Sequence, residues 1–160
     1  MGLGDQLRNK LDLPDVSGGS VEVSGSKGSV EVEVVELDGL GAKIDRVRVR
    51  VPRPTDLPSQ AEQISERVRG LGERLVPVEV DERLGGGVLR SRPEEMRGGY
   101  YEVGLDGSGA TVERYGLGDD GVREKQPFTV TREQLGRLVD DLEDGLSELK
   151  DQKSDMKTTK

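Results

Sequence analysis

Glu31 and Glu33 sit two positions apart, and Arg46, Arg48 and Arg50 follow at the same alternate spacing one turn later. Side chains at i and i+2 share one face of a strand, so a Glu-x-Glu strand beside an Arg-x-Arg strand gathers carboxylates against guanidiniums. Such a set has the means to hold a divalent cation and a polyphosphate. Little else in the chain could do chemistry. It has no histidine and no cysteine. That removes the imidazole base, the thiolate nucleophile and the structural zinc site. Carboxylate, lysine, tyrosine and hydroxyl chemistry remain.

The Glu-x-Glu strand resembles that of the triphosphate tunnel enzymes, whose signature continues Glu-x-Glu-x-Lys. The resemblance implies a closed barrel around metal and phosphate. Here Val35 stands where the lysine would be. The departure removes a phosphate-binding cation, and no second set of basic strands follows. The simpler reading is a ladder of ion pairs on a solvated sheet face. The other candidates resolve the same way. The Asp-Gly-x-Gly stretches at Asp38 and Asp106 lack the alternating acids and closing glutamate of a calcium loop, and turn chemistry explains them. Ser24 to Ser29 has the composition of a phosphate-binding loop but not its order, and it precedes a strand. No metal and no cofactor is expected. Tyr100 and Tyr101 are neighbours on one strand, so their rings point to opposite faces, one into the core and one outward as an interface anchor. Asp140, Asp141 and Asp144, with Glu143, form an acidic helix face that is either solvated or turned toward a basic partner.

The elements that must carry these residues can be placed from pattern. Val21 and Val23 belong to a short edge strand, followed by a longer one through Val30, Val32 and Val34. If the next loop runs Asp38 to Lys43, Val30 faces Val51, Val32 faces Val49 and Val34 faces Val47. On the other face Glu31 then meets Arg50 and Glu33 meets Arg48. A one-residue slip would invert both faces. Pro52 and Pro54 end this hairpin. A helix is expected from about Pro58 to Leu75, capped by Asp56 or Ser59, with Leu57, Ala61, Ile64, Val68, Leu71 and Leu75 in one narrow stripe. Gly70 and Gly72 weaken it. Residues 76–130 read as a strand meander, its last strand running Val122 to Val130. Thr131 with Gln134 makes a capping box for a final helix buried through Leu135, Leu138, Val139, Leu142, Leu146 and Leu149.

The expected fold is therefore α+β: an antiparallel sheet of six to eight strands in hairpins and a meander, with two amphipathic helices on one face. Residues 1–18 read as a flexible N-terminal segment with a short helix around Asp5 to Leu13, Leu3, Leu7 and Leu11 on one side. Residues 19–149 form a single domain. Residues 150–160, polar and charged without periodicity, are expected to be a disordered tail. Leu37-Asp38-Gly39-Leu40-Gly41-Ala42 returns as Leu105-Asp106-Gly107-Ser108-Gly109-Ala110, and Glu62-Gln63-Ile64 returns as Glu133-Gln134-Leu135. These matches suggest an internal ββα duplication with half-repeats at 29–75 and 98–149.

The formal net charge of −8 disfavours phosphate backbones and anionic lipid as partners. With three tyrosines and one phenylalanine, the chain also lacks platforms for stacking bases. No apolar run is long enough to span a bilayer. The start, Met1 to Asp5, has neither the basic nor the apolar stretch of a secretory signal, and Gln6 does not suit myristoylation. A cytoplasmic setting is expected. The leading functional expectation is a non-enzymatic protein-interaction, adaptor or chaperone-like module with a protein partner, a second copy of itself included. A different class is a small-ligand domain or carboxylate-based enzyme, metal- or phosphate-dependent, with a pocket between sheet and helices. A third is a structural subunit that joins an assembly through the free edge of the Val21 or Val30 strand.

Overall fold

The computed structural model describes residues 2–12, 18–95 and 98–147. The linker after the first helix and the tail expected to be disordered lie outside the described residues. Thirteen elements run in the order α1 (Leu3–Leu11), β1 (Gly19–Gly25), β2 (Gly28–Leu37), β3 (Gly41–Arg50), α2 (Leu57–Arg67), β4 (Leu75–Asp81), β5 (Gly86–Ser91), a 3-10 turn (Pro93–Glu95), β6 (Tyr100–Leu105), β7 (Gly109–Leu117), β8 (Arg123–Gln126), β9 (Phe128–Thr131) and α3 (Arg132–Leu146). The class is the expected α+β; among the described residues nine strands, against the six to eight expected, form one antiparallel sheet, and α1 joins the two expected helices on it. The single strand expected over Val122 to Val130 is split into β8 and β9, because Pro127 cannot donate to a ladder.

The sheet order is β1-β2-β3-β7-β6-β5-β4. The β2–β3 and β6–β7 hairpins meet at its centre through β3 and β7, which pair from Val47↔Val112 to Arg50↔Gly109. Beyond that junction the two strands part, and β8–β9 fills the fork. Gly41–Ile44 of β3 pairs with β9, while Arg114–Leu117 of β7 pairs with β8.

The β2–β3 register differs from the expected one by two residues. Val30 lies opposite Val49, Val32 opposite Val47, Glu31 opposite Arg48 and Glu33 opposite Arg46. A shift of two keeps every side chain on its predicted face, so the valines are inward and the charges outward as expected; only the partners change. The cause is a shorter loop. The Asp38 carboxylate accepts from the N–H groups of Leu40 (2.8 Å) and Gly41 (2.9 Å), which closes the turn before Gly41. These bonds hold the Asp38 carboxyl below its usual pKa. The second hairpin turns the same way: Asp106 accepts from Ser108 (3.1 Å) and Gly109 (2.8 Å).

The helices cover one face. α1 packs on β1 and β2, α3 on β3, β7 and β9, and α2 on β4 and β5. Leu3, Leu7 and Leu11 of α1 are fully buried, as are Leu135, Val139, Leu142 and Leu146 of α3. α3 has the expected capping box, Thr131 with Gln134. α2 is capped by Asp56, whose carboxylate accepts from the Ser59 N–H at 2.8 Å, but it ends at Arg67 rather than Leu75. Val68 is already extended, with ψ 108°, and the glycine-rich stretch after it has too little helix propensity to continue. Val68 and Leu75 are still buried; the stripe persists while the helix does not.

Two helix glycines set the spacing of this layer. A Cβ on Gly4 would lie 2.2 Å from the Gly136 carbonyl oxygen, and one on Gly145 would lie 2.8 Å from Ile64 Cγ1. α3 therefore touches α1 on one side and α2 on the other at nearly backbone distance. Two further bonds tie each helix to the hairpin of the other half. Gln60 of α2 donates to the Gly107 carbonyl (2.8 Å), and Arg132 of α3 donates to the Asp38 carbonyl (2.6 Å).

Overpacking this contact should cost stability. Gly4→Ala is expected to destabilise by about 1–3 kcal/mol, read as a lower urea midpoint. Gly39→Ala, with nothing within 4 Å of its added carbon, should stay within about 0.5 kcal/mol of the parent. Equal midpoints for the two variants would refute the close-contact role.

Candidate functional site

The solvent face of the sheet carries the charged residues singled out by spacing, and it pairs them internally. Arg46 meets Glu33 at 3.6 Å, while Arg48 and Arg50 both turn to Asp106, at 3.5 and 3.6 Å. Glu31 accepts from the Ser20 hydroxyl at 3.1 Å. The five residues thus face solvent along an open sheet. A tunnel needs closure, but this sheet ends in two separate strands, β1 and β4. The barrel geometry implied by the tunnel-enzyme resemblance is not present among the described residues. Among the described residues no group of three or more carboxylates is placed to hold a metal ion.

Further along the same face, Lys125 sits in the fork and reaches both Asp45 of β3 (3.0 Å) and Glu113 of β7 (3.1 Å). Partial burial works to lower the Lys125 pKa, but its bonds to the two carboxylates outweigh that and leave it raised. Asp45 and Glu113 occupy equivalent places in the two repeated stretches, so one lysine clamps both hairpins. Glu102 accepts from Arg90 and Arg123, each at 2.9 Å. The Arg123 guanidinium lies 4.0 Å from the Tyr115 ring centre and donates to the Tyr100 hydroxyl at 3.1 Å.

Tyr100 and Tyr101 fall on opposite faces, as alternation requires. Tyr101 is a core residue, edge-on to Phe128 with ring centres 5.3 Å apart and covered by Arg114. Burial, chiefly, raises its hydroxyl pKa. Tyr100 lies on the outer face beside Tyr115, their ring centres 6.0 Å apart. Of the helix acids, Asp140 accepts from the Gly4 N–H at 2.9 Å and so caps the first turn of α1. That role has no sequence signal, because its partner lies at the other end of the chain. Asp141 is half-buried and Asp144 exposed. The Val30 strand, β2, is flanked on both sides, so only β1 keeps a free edge of the two strands proposed for strand addition. Lys10 crosses that edge to donate to the Glu22 carbonyl at 2.8 Å.

The space between sheet and helices is filled by aliphatic side chains, with Gln60, Ser91 and Glu143 the buried polar residues among those described. A concave feature among the described residues lies at the far end of the sheet, where α2 runs beside the edge strand β4. An open groove of about 580 Å³ has Pro58, Ala61, Pro77 and Val80 as its apolar surface, and Glu62, Glu66 and Glu82 at its sides, with Ser65 and Arg74. It lies where α2 stops at Arg67 and residues 68–74 turn the chain back into β4. Among the described residues no ion pair joins Glu62, Glu66 or Glu82 to a cation, although Arg74 lines the same groove, in contrast to Glu33, Glu102 and Glu113 on the sheet face. The β4 backbone is closed to strand addition at this point. Pro77 lacks an N–H, Val78 is bulged out between Pro77 and Glu79, and the Leu75 carbonyl accepts from Ser65 at 2.7 Å. Sequence reading missed the groove because it treated 57–75 as one helix and so had no α2–β4 corner. A smaller hollow of about 220 Å³ at the start of α3 is bordered by Asp38, Leu40 and Gln134. The Gln134 N–H there already serves the capping box.

Asp141 gives a pH test of the acidic helix face. Burial, then Asp144, then Asp140 raise its pKa, against Arg137 and Arg67. A raised folded-state pKa stabilises below the unfolded value of 3.8, and that contribution is lost as pH rises through the folded value. Ionised Asp141 is thus unfavourable near neutrality. Asp141→Asn should raise Tm at pH 7 by a degree or more and leave it nearly unchanged at pH 3. A lower Tm at pH 7 would show that the arginines dominate instead.

The chain matches no protein-family model, no curated protein and no solved structure.

Proposed function

We propose that this protein is a non-enzymatic interaction module that binds a basic, amphipathic segment of a protein partner in the α2–β4 groove. The observation that carries the reading is the contrast between two acidic surfaces. On the sheet face Glu33, Asp45, Glu102, Asp106 and Glu113 are paired with arginine or lysine of the same chain, whereas among the described residues no ion pair engages Glu62, Glu66 or Glu82, which flank an apolar-floored groove together with Arg74. A partner side chain that places an ammonium or guanidinium there gains charge-assisted bonds, and an adjacent apolar residue gains burial on Ala61 and Val80. The blunted β4 edge favours recognition by side chains, as in helix-in-groove binding, over added strand pairing. A cytoplasmic setting accords with a chain that uses no cysteine.

The two hairpin-plus-helix units are read as descendants of one duplicated unit. Support comes from the matching Asp-Gly-x-Gly turns closed by the same bonds and from their mirrored places in the sheet order. The helix caps, Asp56 and Thr131, lie 75 positions apart (131 − 56), against 68 for the loops (106 − 38). Glu62 thus stands six residues after its cap and Glu133 two after its own, so the Glu-Gln match between the helices does not coincide with their starts, and the reading rests on the hairpins.

Binding can be read by fluorescence anisotropy with a labelled helical peptide that carries lysines on one side and leucines beside them. A Kd of roughly 10–100 μM is expected for such a generic ligand. Glu62→Lys with Glu66→Lys should weaken it at least about tenfold, and raising salt should weaken the parent as well. Glu124→Lys, on exposed β8, should have little effect. Affinity unchanged by the groove pair, or lost equally with Glu124→Lys, would remove the assignment.

A further inference from the structure

The edge strand β1 reads the same in both directions: Gly19-Ser20-Val21-Glu22-Val23-Ser24-Gly25. We propose that β1 is a self-complementary edge through which two copies of this chain join, antiparallel, about a two-fold axis at Glu22. Rotation about that axis sets Val21 opposite Val23 of the second copy, Ser20 opposite Ser24 and Gly19 opposite Gly25. A two-fold contact requires one patch to complement itself, and a palindromic strand does so residue by residue.

The edge is equipped for pairing. Among the described residues β1 has a strand on one side only. Its ladder with β2 runs from Gly19↔Val34 to Gly25↔Gly28 without a bulge, and the strand contains no proline. The opposite edge, β4, carries both Pro77 and a bulge. In an antiparallel ladder the backbone groups of successive residues point to alternate sides. The Glu22 carbonyl accepts from Lys10 of α1, so Glu22 faces away from β2, and Ser20 and Ser24 face the same way. Under the two-fold these residues exchange about six hydrogen bonds with their counterparts. Val21 is buried and Val23 packs at the margin of the core, so two cross-axis Val–Val pairs extend the core across the junction.

The helix layer leaves room for this contact. Gln6 of α1 lies beside Gly25, and Lys10 reaches Glu22. α1 thus follows the half of β1 from Glu22 to Gly25, and the two-fold sends the second α1 along the other half. The cost sits on the axis, where the two Glu22 side chains face each other. Lys10 gives up the Glu22 carbonyl to the incoming N–H, and the two freed ammonium groups stand beside the two carboxylates. The axis lies at the end of the sheet away from β4, so both α2–β4 grooves stay open.

Sedimentation velocity of the full chain should show a monomer–dimer equilibrium with a Kd on the order of 10–100 μM. Glu22→Pro removes an outward N–H but none of the β1–β2 bonds, so the dimer should be lost with the circular dichroism spectrum unchanged. Lys10→Glu leaves only acids at the axis and should weaken association at least about tenfold. Glu62→Lys with Glu66→Lys, at the groove, should leave it unchanged. Lys27→Cys, in the turn between β1 and β2, gives a chain without other cysteine a single nitroxide site. Two such turns at opposite ends of the paired strands should yield one inter-label distance of roughly 30 Å. Should Glu22→Pro unfold the chain, the label distance and Lys10→Glu decide. A chain still monomeric at about 1 mM would overturn the proposal. So would a dimer that survives Glu22→Pro, one lost with the groove pair, or one with a different label distance. Uptake of an added extended peptide along β1 by a strictly monomeric chain would give the edge to another partner and overturn it too.

Discussion

The two central hairpins meet over only four residue pairs, from Val47↔Val112 to Arg50↔Gly109, and the backbone beyond that junction must find other partners. Buried N–H and C=O groups left unpaired would cost more than a short junction could return. The β8–β9 segment meets this need by pairing with β7 first and with β3 next, and Lys125 holds the two walls of the fork through Asp45 and Glu113. Because β9 ends at Thr131 and the capping box begins there, the fork fixes where α3 starts. From that position α3 lies between α1 and α2, in contact through Gly136 and Gly145. α2 is then confined to the far end of the same face, where it forms the groove with β4. The groove is thus a remote consequence of how two hairpins diverge.

The charge distribution follows the same division. On the sheet face the β2–β3 register places acids opposite bases, Glu31↔Arg48 and Glu33↔Arg46, while Glu102 and Glu113, opposite each other, are offset by Arg90, Arg123 and Lys125. Exposed pairs of this kind contribute little stability each; their consequence here is that the face offers few uncommitted charges to a partner. The groove lies outside the ladder. Its glutamates come from one helix and one turn, not from paired strands, and nothing in the sheet pattern supplies them with cations. Several bonds are long-range in sequence, such as Gln60 to Gly107 and Arg132 to Asp38. They make the two halves interdependent, so a change in one hairpin loop is felt at the helix of the other half.

Much of this was legible in the sequence. The valine and charge faces of β2 and β3, the caps at Asp56 and Thr131, the opposite faces of Tyr100 and Tyr101, and the α+β class all follow from period and turn chemistry. What could not be read depended on contacts between distant residues. The β2–β3 register slipped by two because alternation is blind to even shifts, and only the Asp38 bonds to Leu40 and Gly41 decide among them. The stripe from Leu57 to Leu75 suggested one helix because burial continues through Val68 into β4 after the helix has ended. Asp140 looked like a surface acid until Gly4 supplied its partner. The groove, built at the corner that the overlong helix concealed, was out of reach for the same reason.

The most direct measurement is a two-dimensional amide spectrum of the 15N-labelled full chain, titrated with a lysine-rich amphipathic peptide. Saturable shifts confined to α2 and β4, centred on Ala61, Glu62, Glu66 and Val80, are the predicted result. Shifts centred on Tyr100, Tyr115 and Arg123 of the sheet face, or no saturable shifts at millimolar peptide, would contradict the groove assignment.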